Sequence, residues 1–230
     1  MWNQASVWLY QASIWVAPAL LAITLHEAAH GWVAWKLGDD TAYREGRVTF
    51  NPFRHIDPFG TILLPAMLLL ARSPFLFGWA KPVPVNFYRL RNPRRDMVLV
   101  AAAGPGINLV MAYVFAVAGH GLSWLPDGVD RWAADNLSNG VVLNLVLAVF
   151  NMIPLPPLDG GRVAVGLLPH RLALPLARLE PMGMPILVGL MFILPLLGQQ
   201  LGMNLNVIGE IIGPAVHFLY DLVLSLAGHD

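Results

Sequence analysis

The chain has 230 residues, 57% of them hydrophobic and 12% charged, with basic and acidic side chains balanced to a formal net charge of zero. A soluble domain carries about a quarter charged residues, so this balance, with a mean hydropathy of +0.59, marks an integral membrane protein, and the lack of a basic excess excludes a nucleic-acid footprint. Cysteine is absent, which excludes disulfides and thiolate metal sites and leaves His, Asp and Glu as ligands for any metal.

The first predicted span covers residues 6–37 and closes on Gly38-Asp39-Asp40. At about 1.5 Å per residue it exceeds a hydrocarbon core of about 30 Å, so it should tilt or begin in the interface. Trp2, Trp8, Tyr10 and Trp15 at one end, and Trp32 and Trp35 at the other, suit aromatic belts. The start lacks the positive region of a signal peptide, so the N-terminus is expected to be retained. Segment 41–50 is polar and β-capable through Tyr43, Val48, Thr49 and Phe50, and reads as a strand near the membrane surface.

A proline-punctuated loop, 51–61, then carries His55 and Asp57. The apolar run 58–71 would be only about 21 Å long as a helix and is interrupted by Pro65. A re-entrant or partly inserted hairpin is favoured, its backbone covered by protein. Segment 78–87 contains Lys81-Pro82-Val83-Pro84-Val85-Asn86 and reads as extended, because a residue before proline is pushed toward β or polyproline geometry.

Spans are expected next at 97–126 and 136–158, separated by a net-negative loop with Asp127, Asp130, Arg131 and Asp135. The second of these ends in Pro154, Pro156 and Pro157, which cannot continue a lipid-facing helix, so the backbone must unwind where protein or water satisfies it. Two further spans, 184–197 and 205–226, complete an all-α polytopic membrane protein of about five to six transmembrane segments. The short second segment and small membrane-associated strands complete the expected fold, and residues 1–230 read as a single membrane domain. Basic residues (Arg72, Lys81, Arg89, Arg91, Arg94, Arg95, then Arg162, Arg171 and Arg178) place their loops in the cytoplasm. With a re-entrant second segment, the N-terminus then lies outside and the C-terminus inside.

Chemistry concentrates in His26-Glu27-Ala28-Ala29-His30, an H-E-x-x-H whose members are the only ionisable side chains before Lys36. Helical spacing stacks His26 and His30 on one face, where two imidazoles can grip one Zn²⁺ while Glu27 serves as general base. An ionisable trio at that depth is expensive unless it has a function. A catalytic zinc takes three protein ligands, and Asp159 is the leading third, followed by Gly160-Gly161 that allow close approach. Its alternative role is to cap the helix after it, and Glu210 is the rival ligand. His55 reads either as a gating residue folded over the metal or as a loop histidine bound to Asp57. His120, His170, His217 and His229 are read as non-catalytic.

Three segments together resemble the signatures of the site-2 protease family of intramembrane zinc metalloproteases. They are His26-Glu27-Ala28-Ala29-His30, Gly104-Pro105-Gly106-Ile107-Asn108, and Asn151-x-x-Pro154-x-Pro156-Pro157-Leu158-Asp159-Gly160. Asn51-Pro52, His55-Ile56-Asp57-Pro58 and the Lys81–Asn86 run resemble its compact bacterial branch, without PDZ or CBS domains. The resemblance implies that His26, His30 and Asp159 hold one zinc and that Glu27 is the base. It implies that Asn151 hydrogen-bonds substrate or transition state. Asn108 is implied as a structural or active-site polar group, a helix–helix hydrogen bond being the alternative.

The function expected is that of a zinc metalloendopeptidase cutting peptide bonds in or near transmembrane segments of other proteins, within the cell membrane. Its partners would be a transmembrane substrate and the bilayer. The competing class is a metal transporter or a non-proteolytic metal-binding membrane protein. A transporter would need acidic or His side chains repeated along a path through several spans, whereas here they cluster at one level.

Overall fold

A computed structural model describes residues 4–70 and 78–229. Trp2, Arg72 and the end of the 58–71 run, expected above in an aromatic belt, a cytoplasmic loop and a hairpin, lie outside the described residues.

Helix α1, Gln4–Lys36, is a single long helix with Pro18 inside it. Its Trp8, Trp15 and Trp32 are exposed, as belt residues would be. Gly38 closes it with a positive φ of 115°. Buried Asp39 then takes the Thr41 and Asn86 amides, anchoring two later segments to its end.

Segment 41–50 is not a strand. Residues Thr41–Arg44 form one helical turn, α2, whose backbone is satisfied locally by Asp39 and Asp40 and whose Arg44 pairs with Asp40. Local capping thus overrides the β preference of Tyr43, and no strand occurs among the described residues.

Residues Pro58–Leu63 form a wide π-type turn that leads into α3, Leu64–Leu70. Pro65 does not interrupt this run but sits at the start of α3. The Gly60 carbonyl that its missing N–H would have engaged in the i→i+5 pattern accepts the Trp79 N–H instead, at 3.1 Å. Gly60 is required there, because a Cβ would lie 2.4 Å from the Trp79 ring. The described part of this segment is shorter than a membrane span.

Segment 79–86 is extended, but it is not paired as a strand. Its inward amides, at alternate residues, go to unrelated acceptors: Trp79 to Gly60 O, Lys81 to His55 O at 2.9 Å and Val83 to Glu27 at 2.8 Å. Asn86 adds a bond to Asp39 at 2.6 Å. Pro82 and Pro84 fix extended geometry and remove the alternate donors a ladder would need. The result is a strap laid across α1.

Helix α4, Pro93–Ala118, starts with Pro at its first position, and the Asp96 carboxylate caps it by accepting the Asn92 amide at 2.8 Å. It continues through a 3₁₀ turn to Trp124. Helix α5, Val129–Asn151, begins before the expected span, so Asp130, Arg131 and Asp135 lie on it rather than in a loop. Tyr10 of α1 donates to Asp135 at 2.6 Å.

After the proline break come three short helices, α6 (Asp159–Leu167), α7 (His170–Ala177) and α8 (Glu180–Val188). The run continues through a π turn into α9, Leu194–Leu201, and α10, Val207–Leu226, ends the chain. Among the described residues, five helical stretches are long and apolar enough to cross a membrane: Ser6–Lys36, Pro93–Trp124, Val129–Asn151, Glu180–Leu201 and Val207–Leu226. Helices α4, α5 and α10 share a core of Ala112, Ala116, Val141, Leu145, Val223 and Ala227. Leu9, Val114 and Phe218 point outward, as lipid-facing side chains do. The chain is a membrane protein.

Candidate metal centre

His26 and His30, one turn apart on α1, are buried where α1 crosses α4. Asp159, the first residue of α6, is buried beside them. The two Nε2 atoms are 3.1 Å apart, and Asp159 Oδ2 lies 3.2 Å from the first and 3.3 Å from the second. A tetrahedral zinc with ligands at about 2.0–2.1 Å requires ligand–ligand separations of about 3.3–3.4 Å. The three atoms meet that requirement almost without movement, and among the described residues no other group of His, Asp or Glu converges in this way.

The ring protons are already committed elsewhere. His30 Nδ1 donates to the Val100 carbonyl at 2.7 Å, and His26 Nδ1 to Asn108 Oδ1 at 2.6 Å. A chain of amides fixes the second of these bonds. Asn144 Nδ2 donates to Gly140 O, its Oδ1 accepts from Asn108 Nδ2 at 2.8 Å, and Asn108 must therefore present its oxygen to His26. Neutral imidazoles with protonated Nδ1 carry bare lone pairs at Nε2. Two lone pairs thus face a carboxylate oxygen that is buried without a hydrogen-bond partner. Such a set is repulsive unless a cation joins it. With both ring protons spent at Nδ1, a shared metal ion would supply the positive charge the three atoms lack.

Gly104 supplies the room. A Cβ there would lie 2.4 Å from His30 Nε2 and 2.6 Å from His26 Nε2, so only glycine lets α4 close over the ligand atoms. Asp159 reaches the same point because Gly160 and Gly161 pass under the broken backbone. A Cβ on either would sit 2.2 Å from Met152 O or from Pro156 N. The Asp159 side chain does not cap α6, whose N-cap is Leu158 and has no side-chain cap bond.

Glu27, half-buried, accepts the Val83 N–H at its Oε2 at 2.8 Å. Asn151 ends α5 with its Nδ2 on the Leu147 carbonyl at 3.0 Å, and no hydrogen bond links it to the trio. Glu210 is exposed on the first turn of α10 and accepts from Asn204, so it is not the third partner of the imidazoles. His55 is 2% exposed, with its Nε2 3.1 Å from Thr49 O and its carbonyl holding Lys81. It is not bound to Asp57, whose carboxylate instead caps the turn after it through Phe59 and Gly60. Asn144, fully buried, and the Val100 carbonyl escaped the sequence reading. A lone Asn at helical spacing from Asn151 in the apolar run 140–150 was the available signal for the first, whereas a backbone carbonyl leaves none.

A buried His-His-Asp group enclosed by apolar helices defines the class: a membrane protein with a ligand group that could hold a metal ion. Over 199 residues the chain is 39% identical to "Putative zinc metalloprotease YwhC" of Bacillus subtilis, covering 83% of this chain and 85% of that protein. It is 32% identical over 145 residues to "Putative zinc metalloprotease Rip2" of Mycobacterium tuberculosis, covering 63% of this chain and 53% of that protein. It is 31% identical over 138 residues to "Putative zinc metalloprotease MJ0611" of Methanocaldococcus jannaschii, covering 60% and 62% respectively. No family model and no solved structure matches the chain. The chain belongs to the family of these zinc metalloproteases, the site-2 protease family.

Proposed function

We propose that this protein is an intramembrane zinc metalloendopeptidase of the cell membrane, hydrolysing peptide bonds in or near transmembrane segments of other membrane proteins. The observation that carries the reading is the convergence of His26 Nε2, His30 Nε2 and Asp159 Oδ2 within 3.3 Å of one another, with the proton of each ring held at the far nitrogen. These three side chains would hold the zinc, which supplies Lewis-acid polarisation of the scissile carbonyl and acidifies the attacking water.

Everything else falls to the chain. Glu27 has one carboxylate oxygen fixed by Val83 and the other available to take a proton from the attacking water and return it to the leaving amine. Asn151 keeps one of its two amide hydrogens beyond the Leu147 bond, which can stabilise negative charge developing on the carbonyl oxygen. A cleft of about 540 Å³ lies against the H-E-x-x-H helix, between Leu25, Ala28 and Trp32 on one wall and the 48–50 segment on the other. Its apolar walls suit an unwound piece of a substrate helix, received in extended form along 48–50. The transporter reading has less support, because among the described residues no second ligand group extends the site into a path.

The experiment is cleavage of a model transmembrane peptide by purified protein in detergent. Cleavage that stops with a zinc chelator and returns with added zinc is the expected result. Intact peptide under all conditions, together with zinc flux across vesicles that depends on His26 and Asp159, would replace this reading with transport.

A further inference from the structure

Arg47 is a cation that the mechanism above does not use. It is only 5% exposed, no carboxylate among the described residues pairs with it, and its Nε is buried without a partner among them. A buried guanidinium without a counter-charge is costly, so what it does with its remaining donors is informative. One terminal nitrogen donates to the Lys81 carbonyl at 2.8 Å and approaches the Pro82 carbonyl at 3.4 Å. The Pro82 carbonyl belongs to the same peptide group as the Val83 N–H, which donates to Glu27 Oε2 at 2.8 Å. One rigid peptide plane therefore has a cation at its oxygen and the Glu27 carboxylate at its nitrogen.

We propose that Arg47 is a positioning residue for Glu27, acting through the peptide group between Pro82 and Val83. This rests on the reading of Glu27 as the base. The local sequence isolates the link. Pro82 and Pro84 have no N–H, so Val83 is the sole amide donor between Lys81 and Val85, and proline on both sides holds it extended. Gly31, one turn beyond Glu27, lets the Val83 side chain settle on α1, since a Cβ there would be 3.1 Å from Val83 Cγ1. The guanidinium fixes the carbonyl edge of the plane and polarises it, which strengthens the N–H as a donor. Glu27 is thereby held with one oxygen spoken for and the other directed to its substrate proton.

Two measurements test this, one of which needs no catalysis. In protein labelled with ¹⁵N-valine, the Val83 amide proton should resonate downfield and exchange slowly. Arg47→Met should move it upfield and speed its exchange about tenfold or more, while zinc content stays stoichiometric; Arg47→Lys, which keeps a charged donor, should recover most of the protection. On a cleavable transmembrane peptide, Arg47→Met should lower kcat about 10- to 100-fold, the usual scale for a residue orienting a reacting group from behind, with little change in KM. Val83→Pro removes the N–H together with the side chain, for which Val83→Ala is the control; it should lower kcat by as much as Arg47→Met, clearly more than Val83→Ala, and combining it with Arg47→Met should add little further. An unshifted Val83 amide in Arg47→Met, or equal kcat for Val83→Pro and Val83→Ala, overturns the proposal. If Arg47→Met fails to fold, the comparison of the two Val83 variants decides. If the wild type cuts no peptide, the protease reading fails by itself, and the amide measurement still judges the link from Arg47 to Glu27.

Discussion

The side-chain amides of Asn108 and Asn144 meet at 2.8 Å in the contact between α4 and α5, both fully buried. Their bond matters beyond helix packing, because it fixes which end of Asn108 faces His26 and so which nitrogen of that ring is left for a metal. Outer partners of this kind commonly affect metal affinity by about 10- to 100-fold.

Asn144→Leu should therefore weaken zinc binding by about that factor while preserving helix content. The amide of Asn108 loses the shorter of its two acceptor contacts, keeps only the Ala22 carbonyl at 3.3 Å, and is less firmly held with its oxygen toward His26. Competition with a metal-sensitive dye measures the effect; unchanged zinc affinity would confine Asn144 to packing.

Gly104 and Gly106 are two residues apart on the same helix and should behave oppositely. Gly104→Ala drives a methyl into both Nε2 atoms and should eliminate bound zinc. Gly106→Ala meets nothing within 4 Å and should leave zinc content as it was. Metal analysis of the two purified proteins, beside circular dichroism, separates a blocked site from a misfolded one.

His26→Ala, His30→Ala and Asp159→Ala should each lose zinc, since two remaining ligands make too few for a catalytic site. Glu210→Gln, whose side chain is engaged with Asn204 away from the imidazoles, should retain it. Near-stoichiometric zinc in Asp159→Ala would move the third ligand elsewhere.

His55→Ala should keep zinc, because no bond joins His55 to the trio, but should lower turnover by removing the ring contact to the Thr49 carbonyl, while the backbone bond from Lys81 to residue 55 stays. Cleavage rates equal to wild type across several peptides would make His55 an ordinary buried loop residue.

Much of this was legible in the residues themselves. Ionisable groups are so costly in apolar surroundings that His26, Glu27 and His30 stood out in α1 at once. The three prolines before α6 and the paired glycines in its first turn announced a broken backbone near Asp159. What the sequence did not show were features decided by long-range partners. Extended geometry at 79–86 follows locally from its prolines, but that its amides would go to Glu27, His55 and Gly60 rather than to a strand depends on where α1 lies. Segment 41–50 was misread because β-capable side chains say less than the Asp39 and Asp40 groups that close a helical turn ahead of them. Asn144 was overlooked as one amide in an apolar run, although burial leaves such a group no choice but to find a partner.

The central claim is that Glu27 is the base beside a His-His-Asp zinc centre, and Glu27→Gln tests it most directly. Glutamine nearly preserves shape and can still accept the Val83 N–H through its amide oxygen, but it cannot take a proton at neutral pH. Cleavage of a transmembrane peptide should fall by about 10⁴-fold, the upper end for loss of a general base, while zinc stays stoichiometric and the uncleaved peptide still binds. A folded, zinc-loaded Glu27→Gln protein that cuts peptide as fast as wild type would contradict the account.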